Sequence, residues 1–188
     1  MNIIEKALGD GRLALSEYEA KQVLSAYGIP VTREVLVEKE ADLTDALRQV
    51  GYPVVMKGCA AAIAHKTEKG LIHVDVRSEA EARQAFSTLR EALAETGGAV
   101  LVQAFIRGQR ELVVGMTRDP QFGPCVMFGL GGIFTEILRD VSFRKAPLER
   151  ADALEMMQEI KGHKILGALR GMPAVDLEAM TEILIRVG

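Results

Sequence analysis

Apolar and polar positions fall into alternating helical and strand-like runs. Ser16-Glu17-Tyr18-Glu19 has the spacing of a capping box, in which the Ser16 hydroxyl and the Glu19 carboxylate satisfy orphan amides at a helix start, and it predicts a helix to Tyr27. Gly28 suits the left-handed position after a helix and Pro30 forbids continuation, so a strand over residues 32–37 follows. A second helix over residues 41–50 stops at Gly51-Tyr52-Pro53, and Pro53-Val54-Val55-Met56 reads as a buried strand ending at Lys57. Residues 58–70 read as a loop of mostly small side chains, followed by a strand over residues 71–76. Ser78 and Glu81 repeat the capping-box spacing and open a long helix to near Glu95, after which Gly97-Gly98 returns the chain to a strand over residues 99–103.

Two further strands, over residues 110–117 and 125–128, flank Asp119-Pro120-Gln121-Phe122-Gly123-Pro124, whose Pro and Gly residues predict an antiparallel hairpin. A third strand lies near Phe143. Helices over residues 149–160 and 176–187 follow, the last with Leu177, Met180, Ile183, Leu184 and Val187 on one face. Hairpins separated by helices argue for an α+β protein, with antiparallel sheets flanked by helices in two small lobes. The expected division is 1–101 and 102–188, with the joint within residues 102–110.

Composition narrows the function. The 188 residues are 48% hydrophobic and 26% charged, the balance of a globular protein. With 23 basic against 26 acidic side chains the net charge is −3, so there is no surplus to neutralise a phosphate backbone or an anionic membrane. Aromatic residues are 5% with no Trp, which leaves little for base stacking, and nucleic acid is set aside as a partner. Cys59 and Cys125 lack CxxC spacing, so neither a disulfide framework nor a zinc site is indicated and a reducing cytoplasm fits best. No signal-peptide pattern and no apolar run of membrane-spanning length occurs.

Two familiar phosphate-binding patterns are absent. Lys66-Thr67 follows His65 and leads to a strand, unlike a Walker loop, and Gly129-Leu130-Gly131-Gly132-Ile133-Phe134 has Phe where a dinucleotide fingerprint needs its third glycine. What remains is a dispersed set. Lys57 ends a buried strand, and the small residues of the following loop, with His65, Lys66 and Lys69, suit an anion. His65 beside lysines can act as a phosphoryl-accepting nucleophile. His73, in a strand, and His163, at a helix end, lack that setting, and no metal-ligand spacing occurs. Glu111 and Glu136 are carboxylates placed to bind ribose hydroxyls or a cation. Together these residues describe a polyphosphate cleft.

Over nearly the whole chain the sequence resembles the ATP-grasp family. More narrowly, it resembles the nucleotide-binding subunit or domain of ADP-forming acetyl-CoA synthetases, relatives of succinyl-CoA synthetase. The resemblance is carried by Ser16-Glu17-Tyr18-Glu19-Ala20-Lys21, Tyr52-Pro53-Val54-Val55-Met56-Lys57, His65-Lys66-Thr67 and the run from Gly115 to Pro147. It implies an ATP-grasp fold with adenine held between two lobes and ATP or ADP as the nucleotide. Lys57 would then be a phosphate contact, His65, Lys66 and Thr67 would lie over the triphosphate, Gln103 would stand at the adenine hinge, and Glu111 would hold the ribose. His65 stands at the place of the family histidine that relays phosphate between a phosphohistidine on a CoA-binding partner and ADP.

Family members often have Glu after the hinge Gln, where this sequence has Ala104, and a glycine pair after the histidine loop, where it has Gly70-Leu71. They continue into strands with an Asp/Asn magnesium site, so the Mg2+ ligands are expected beyond residue 188. The chain is accordingly expected to be part of a longer protein and to make or hydrolyse little ATP alone. The alternative is a non-catalytic or regulatory ATP-grasp domain of a fused protein such as a protein lysine acetyltransferase.

Overall fold

The computed structural model describes residues 2–61, 70–95, 97–108, 110–132, 137–169 and 171–188. The predicted roles of His65, Lys66, Thr67, Lys69 and Glu136 fall outside them. The chain divides into two compact units, Met1–Arg107 and Gly108–Gly188.

The first unit opens with a helix that the sequence reading did not anticipate, α1 (Ile3–Gly9), whose start is a capping box between Asn2 and Glu5. Then come α2 (Glu17–Ala26), β1 (Glu34–Val37), α3 (Leu43–Val50) preceded by a short 3-10 turn, β2 (Val54–Cys59), β3 (Ile72–Val76), α4 (Glu79–Ala92) and β4 (Ala99–Ala104). The four strands pair antiparallel in the order β1-β4-β2-β3. The predicted capping box of α2 forms in full, with Gly28 in the left-handed region beyond its end.

Strand periodicity of two puts Val54 and Met56 on the same face as Val100, Val102 and Ala104, and all five join the core beneath α3 and α4. The opposite face receives Val55, Lys57, Leu101 and Gln103, with Lys57 paired to Leu101 and Val55 to Gln103. Alternation therefore sets Lys57 and Gln103 side by side on adjacent strands.

Two expectations need correction here. The strand ending at Lys57 runs on through Gly58 and Cys59, which pair with Val100 and Ala99, so the loop begins later than predicted. Small side chains mimic a loop in sequence, yet Gly58 is packed: a Cβ there would lie 3.2 Å from Leu93 Cδ2. At the start of α4 the box is half made. Ser78 caps the Glu81 amide, but the Glu81 carboxylate accepts from the Arg77 amide at 2.9 Å instead of turning to Ser78.

In the second unit β5 (Leu112–Asp119), β6 (Gly123–Leu130) and β7 (Val141–Lys145) form an antiparallel sheet in chain order. The first two strands run further toward their turn than predicted, pairing from Leu112–Leu130 to Asp119–Gly123. The Asp119 carboxylate accepts from the amides of Gln121 and Phe122 at 2.8 and 2.9 Å, and Gly123 supplies φ +78° where the chain re-enters the sheet.

Helices α5 (Arg150–Glu159) and α6 (Leu177–Val187) cover one sheet face, burying Val126, Phe128 and Leu130 against Ala153, Met156, Met157, Ile160 and Leu184. The buried stripe of α6 is rotated from the predicted one. Thr181 and Leu184 are fully buried while Leu177 is exposed. Thr181 tolerates burial because its hydroxyl donates to the Leu177 carbonyl at 2.7 Å. Among the described residues no helix is long and apolar enough to cross a membrane.

Candidate functional site

The site begins with the anchoring of α2. Arg12 forms two parallel bonds of 2.8 Å to the Glu19 carboxylate, which also accepts from the Ser16 amide and hydroxyl. The Arg12 hydrogen bond holds the Glu19 pKa at about 2, with the Ser16 donors helping against the opposing cost of burial. This clamp fixes the first turn of the helix from which Glu17 and Lys21 project, four residues apart and so on one face.

Glu17 and Lys21 reach the sheet face that carries Lys57 and Gln103, and the four side chains close a ring. Lys21 Nζ donates to Glu17 Oε1 at 2.9 Å and to Gln103 Oε1 at 2.7 Å. Lys57 Nζ donates to the same two oxygens, at 2.9 and 3.1 Å. Lys21 also donates to Glu34 Oε2 at 2.7 Å, and only 7% of the Glu34 side chain is exposed. Among the described residues two ammonium groups thus face two carboxylates, and these four charges offset one another.

An ammonium has three N–H donors, and the partners described for Lys57 take two of them. Gln103 is buried, and its oxygen receives both lysines. No described residue takes up its amide N–H groups. The ring therefore retains hydrogen-bond donors for something further, and such donors suit phosphate oxygens or base acceptor atoms.

Glu111 belongs to the second unit, at the entrance to β5. Its carbonyl accepts from Gly131 N at 2.7 Å, and the glycine pair lets the two segments approach. A Cβ on Gly131 would lie 2.8 Å from the Glu111 carbonyl carbon. Gly132 has φ +62°, and a Cβ there would overlap the exposed Glu111 carboxylate. The glycine run thus seats a carboxylate beside backbone that a side chain would block.

Of the predicted site residues, Lys57 and Gln103 are brought together, and Glu111 stands in its own setting in the second unit. Glu17 and Lys21 were missed as site residues. Their signal is the i,i+4 acid–base pair behind the capping box, but such pairs are common on solvated helix faces, and only the fold aims this one at Lys57. His73 lies in β3 with Nε2 buried and unpartnered among the described residues. His163 lies in the short 3-10 turn His163–Leu166, its Nδ1 3.1 Å from the Ile160 carbonyl. Cys59 and Cys125 are free and buried. Among the described residues no group of three or more His, Cys, Asp or Glu side chains could hold a metal ion.

Two α+β units with antiparallel sheets, one carrying a lysine within an inner strand, have the make-up of an ATP-grasp domain, and the ATP-grasp domain family matches residues 6–188. The chain belongs to that family.

Over 192 residues it is 45% identical to acetate–CoA ligase (ADP-forming) I subunit beta of Pyrococcus furiosus, covering 99% of this chain and 82% of that one. The dinucleotide-forming acetyl-coenzyme A synthetase 1 of Ca. Korarchaeum cryptofilum, solved with coenzyme A and Ca-AMPCP, superposes with TM-score 0.93 at 44% identity, covering 99% of this chain and 83% of that one. A second structure of that enzyme contains coenzyme A and Mg-AMPPCP, with a phosphohistidine segment pointing towards the nucleotide binding site. It superposes with TM-score 0.87 at 45% identity, covering 99% and 82%.

Proposed function

We propose that this chain is the nucleotide-binding part of an ADP-forming acyl-CoA synthetase, an acid–thiol ligase. The overall reaction is acyl-CoA, ADP and phosphate to free acid, CoA and ATP, reversibly, with acetyl-CoA the acyl donor that the relatives favour. The observation that carries the reading is the ring of Glu17, Lys21, Lys57 and Gln103, whose leftover donors suit a nucleotide. The extent of the match to a synthetase subunit supports it.

Lys57 contacts phosphate, Gln103 stands at the base and Glu111 accepts from ribose hydroxyls. His65 is the phosphoryl carrier, with Lys66 and Thr67 beside it. An imidazole nitrogen of His65 attacks phosphorus on a phosphohistidine of a CoA-binding partner, forming one N–P bond as the other breaks. A terminal oxygen of ADP then attacks that phosphorus and His65 leaves. Splitting one long transfer into two short ones keeps each in line, and cations close by stabilise the charge on the moving oxygens. When bound, magnesium would neutralise charge on the polyphosphate, with its ligands expected beyond residue 188.

The test combines the chain with a CoA-binding partner that carries the other histidine. His65→Ala is expected to abolish ATP formation while acyl-CoA and phosphate still phosphorylate the partner. Unchanged ATP synthesis overturns the relay. A regulatory domain without chemistry would form no ATP with either version.

A further inference from the structure

We propose that Lys21 is a positioning residue for nucleotide recognition: together with Lys57 it locks the Gln103 side chain so that its amide N–H groups, and not its oxygen, meet an acceptor atom of the nucleotide. This rests on the nucleotide reading above and adds a residue and a polarity to it.

The argument starts from the two lysines. An ammonium group has donors and no acceptor, so the Gln103 atom that lies 2.7 Å from Lys21 Nζ and 3.1 Å from Lys57 Nζ must be the oxygen. A flipped amide would set its N–H groups against two positive charges and forfeit two charge-assisted bonds. Lys57 alone would leave the amide one hinge bond at the edge of the ring. Lys21 makes the shorter bond, and it is itself held by Glu34 and Glu17, so the lock is anchored on β1 and α2 as well as on the sheet face.

The consequence lies at the other end of the amide. Gln103 Nε2 has no partner among the described residues, and it is not one of the buried unpartnered atoms, which are His73 Nε2 and Arg110 Nε, so it opens to the surface where a ligand can reach it. Its N–H groups are thus held in one orientation and accessible, and an acceptor on a ligand can take them up without the amide having to turn. Among the described residues Glu17 and Glu34 offset the two lysine charges, so hydrogen-bond polarity and shape add to whatever charge selects. Lys21 touches no ligand in this account; it acts through Gln103.

The test is calorimetric titration of the full chain with ADP, in four versions: unaltered, Lys21→Met, Gln103→Ala and the double variant. Lys21→Met is expected to weaken ADP binding about tenfold in the unaltered background and less than about threefold when Gln103 is already Ala, because Lys21 then has nothing to orient. An equal loss in both backgrounds means that Lys21 merely supports the fold, and it overturns the proposal.

Gln103→Glu gives a second readout that does not depend on Lys21→Met folding. The two lysines gain a carboxylate partner, so the melting temperature without ligand is expected to hold or rise, while loss of the N–H donors weakens ADP binding by about tenfold. ADP binding as tight as in the unaltered chain contradicts the donor polarity. Absence of ADP binding by the unaltered chain is a separate result, which overturns the nucleotide reading and this proposal with it.

Discussion

Each unit sets charge against its sheet, a part-buried ring of side chains in the first and a single buried carboxylate in the second, and the two are closed in different ways. In the second unit Asp140 is buried, and its two oxygens accept from the backbone amides of Lys161 and Gly162 at 2.7 and 2.6 Å. Backbone closes in around it: a Cβ on Gly162 would lie 3.1 Å from that carboxylate, and one on Gly129 only 2.6 Å from the Asp140 carbonyl. In the first unit the ring of Glu17, Lys21, Lys57 and Gln103 is made of side chains from a helix and two strands, and it keeps donors in reserve. Hydrogen-bond capacity that the protein itself uses up marks a staple, whereas capacity left over marks a place for a ligand.

Breaking the staple should cost the most stability. Asp140→Ala leaves two inward amides without acceptors and is expected to lower unfolding free energy by about 3 kcal/mol in urea titration, while ADP binding by the folded variant weakens less than about threefold. Gly129→Ala forces backbone apart at the same place and should cost about 2 kcal/mol in the same assay.

Breaking the ring should reverse the balance between stability and binding. Lys57→Met is expected to lower stability by only about 1 kcal/mol, because the ring is partly exposed and Lys21 still meets both carboxylates. The same change should weaken ADP binding by about tenfold or more, as measured by calorimetry.

The smallest effect concerns the clamp that orients α2. Glu19 has its folded-state pKa depressed to about 2 from an ordinary 4.5, so its contribution is fully present above pH 4.5 and is lost as pH falls toward 2. Allowing for solvent screening, that contribution is roughly 1 kcal/mol. Arg12→Met should therefore flatten the decline of melting temperature across that pH window, while near neutral pH the variant melts slightly below the unaltered chain.

The same contrast explains what was legible in the sequence. Helix starts at Ser16 and the hairpin around Asp119 are local, with every interacting group within a few residues, and they form where the spacing predicts. The ring depends on Lys21 meeting Gln103, which is far along the chain, across the non-consecutive strand order β1-β4-β2-β3. Periodicity gives each strand its faces but does not say which strands become neighbours, so Glu17 and Lys21 looked like an ordinary solvated pair. Lys57 is legible from its place after an apolar run and Gln103 from resemblance to a family, whereas their contact and its polarity need the fold. Gly58 and Cys59 were misjudged because small residues signal both loops and tight strand packing. Thr181 was overlooked because a hydroxyl that bonds its own helix is polar in sequence and apolar in effect.

The most direct test of the nucleotide site is a 15N NMR titration with ADP that follows the Gln103 side-chain amide, assigned by its disappearance in Gln103→Glu. The account predicts that this signal moves saturably with ADP and stays unmoved by acetyl-CoA. A Gln103 amide that ignores ADP while other signals of the chain respond would contradict it.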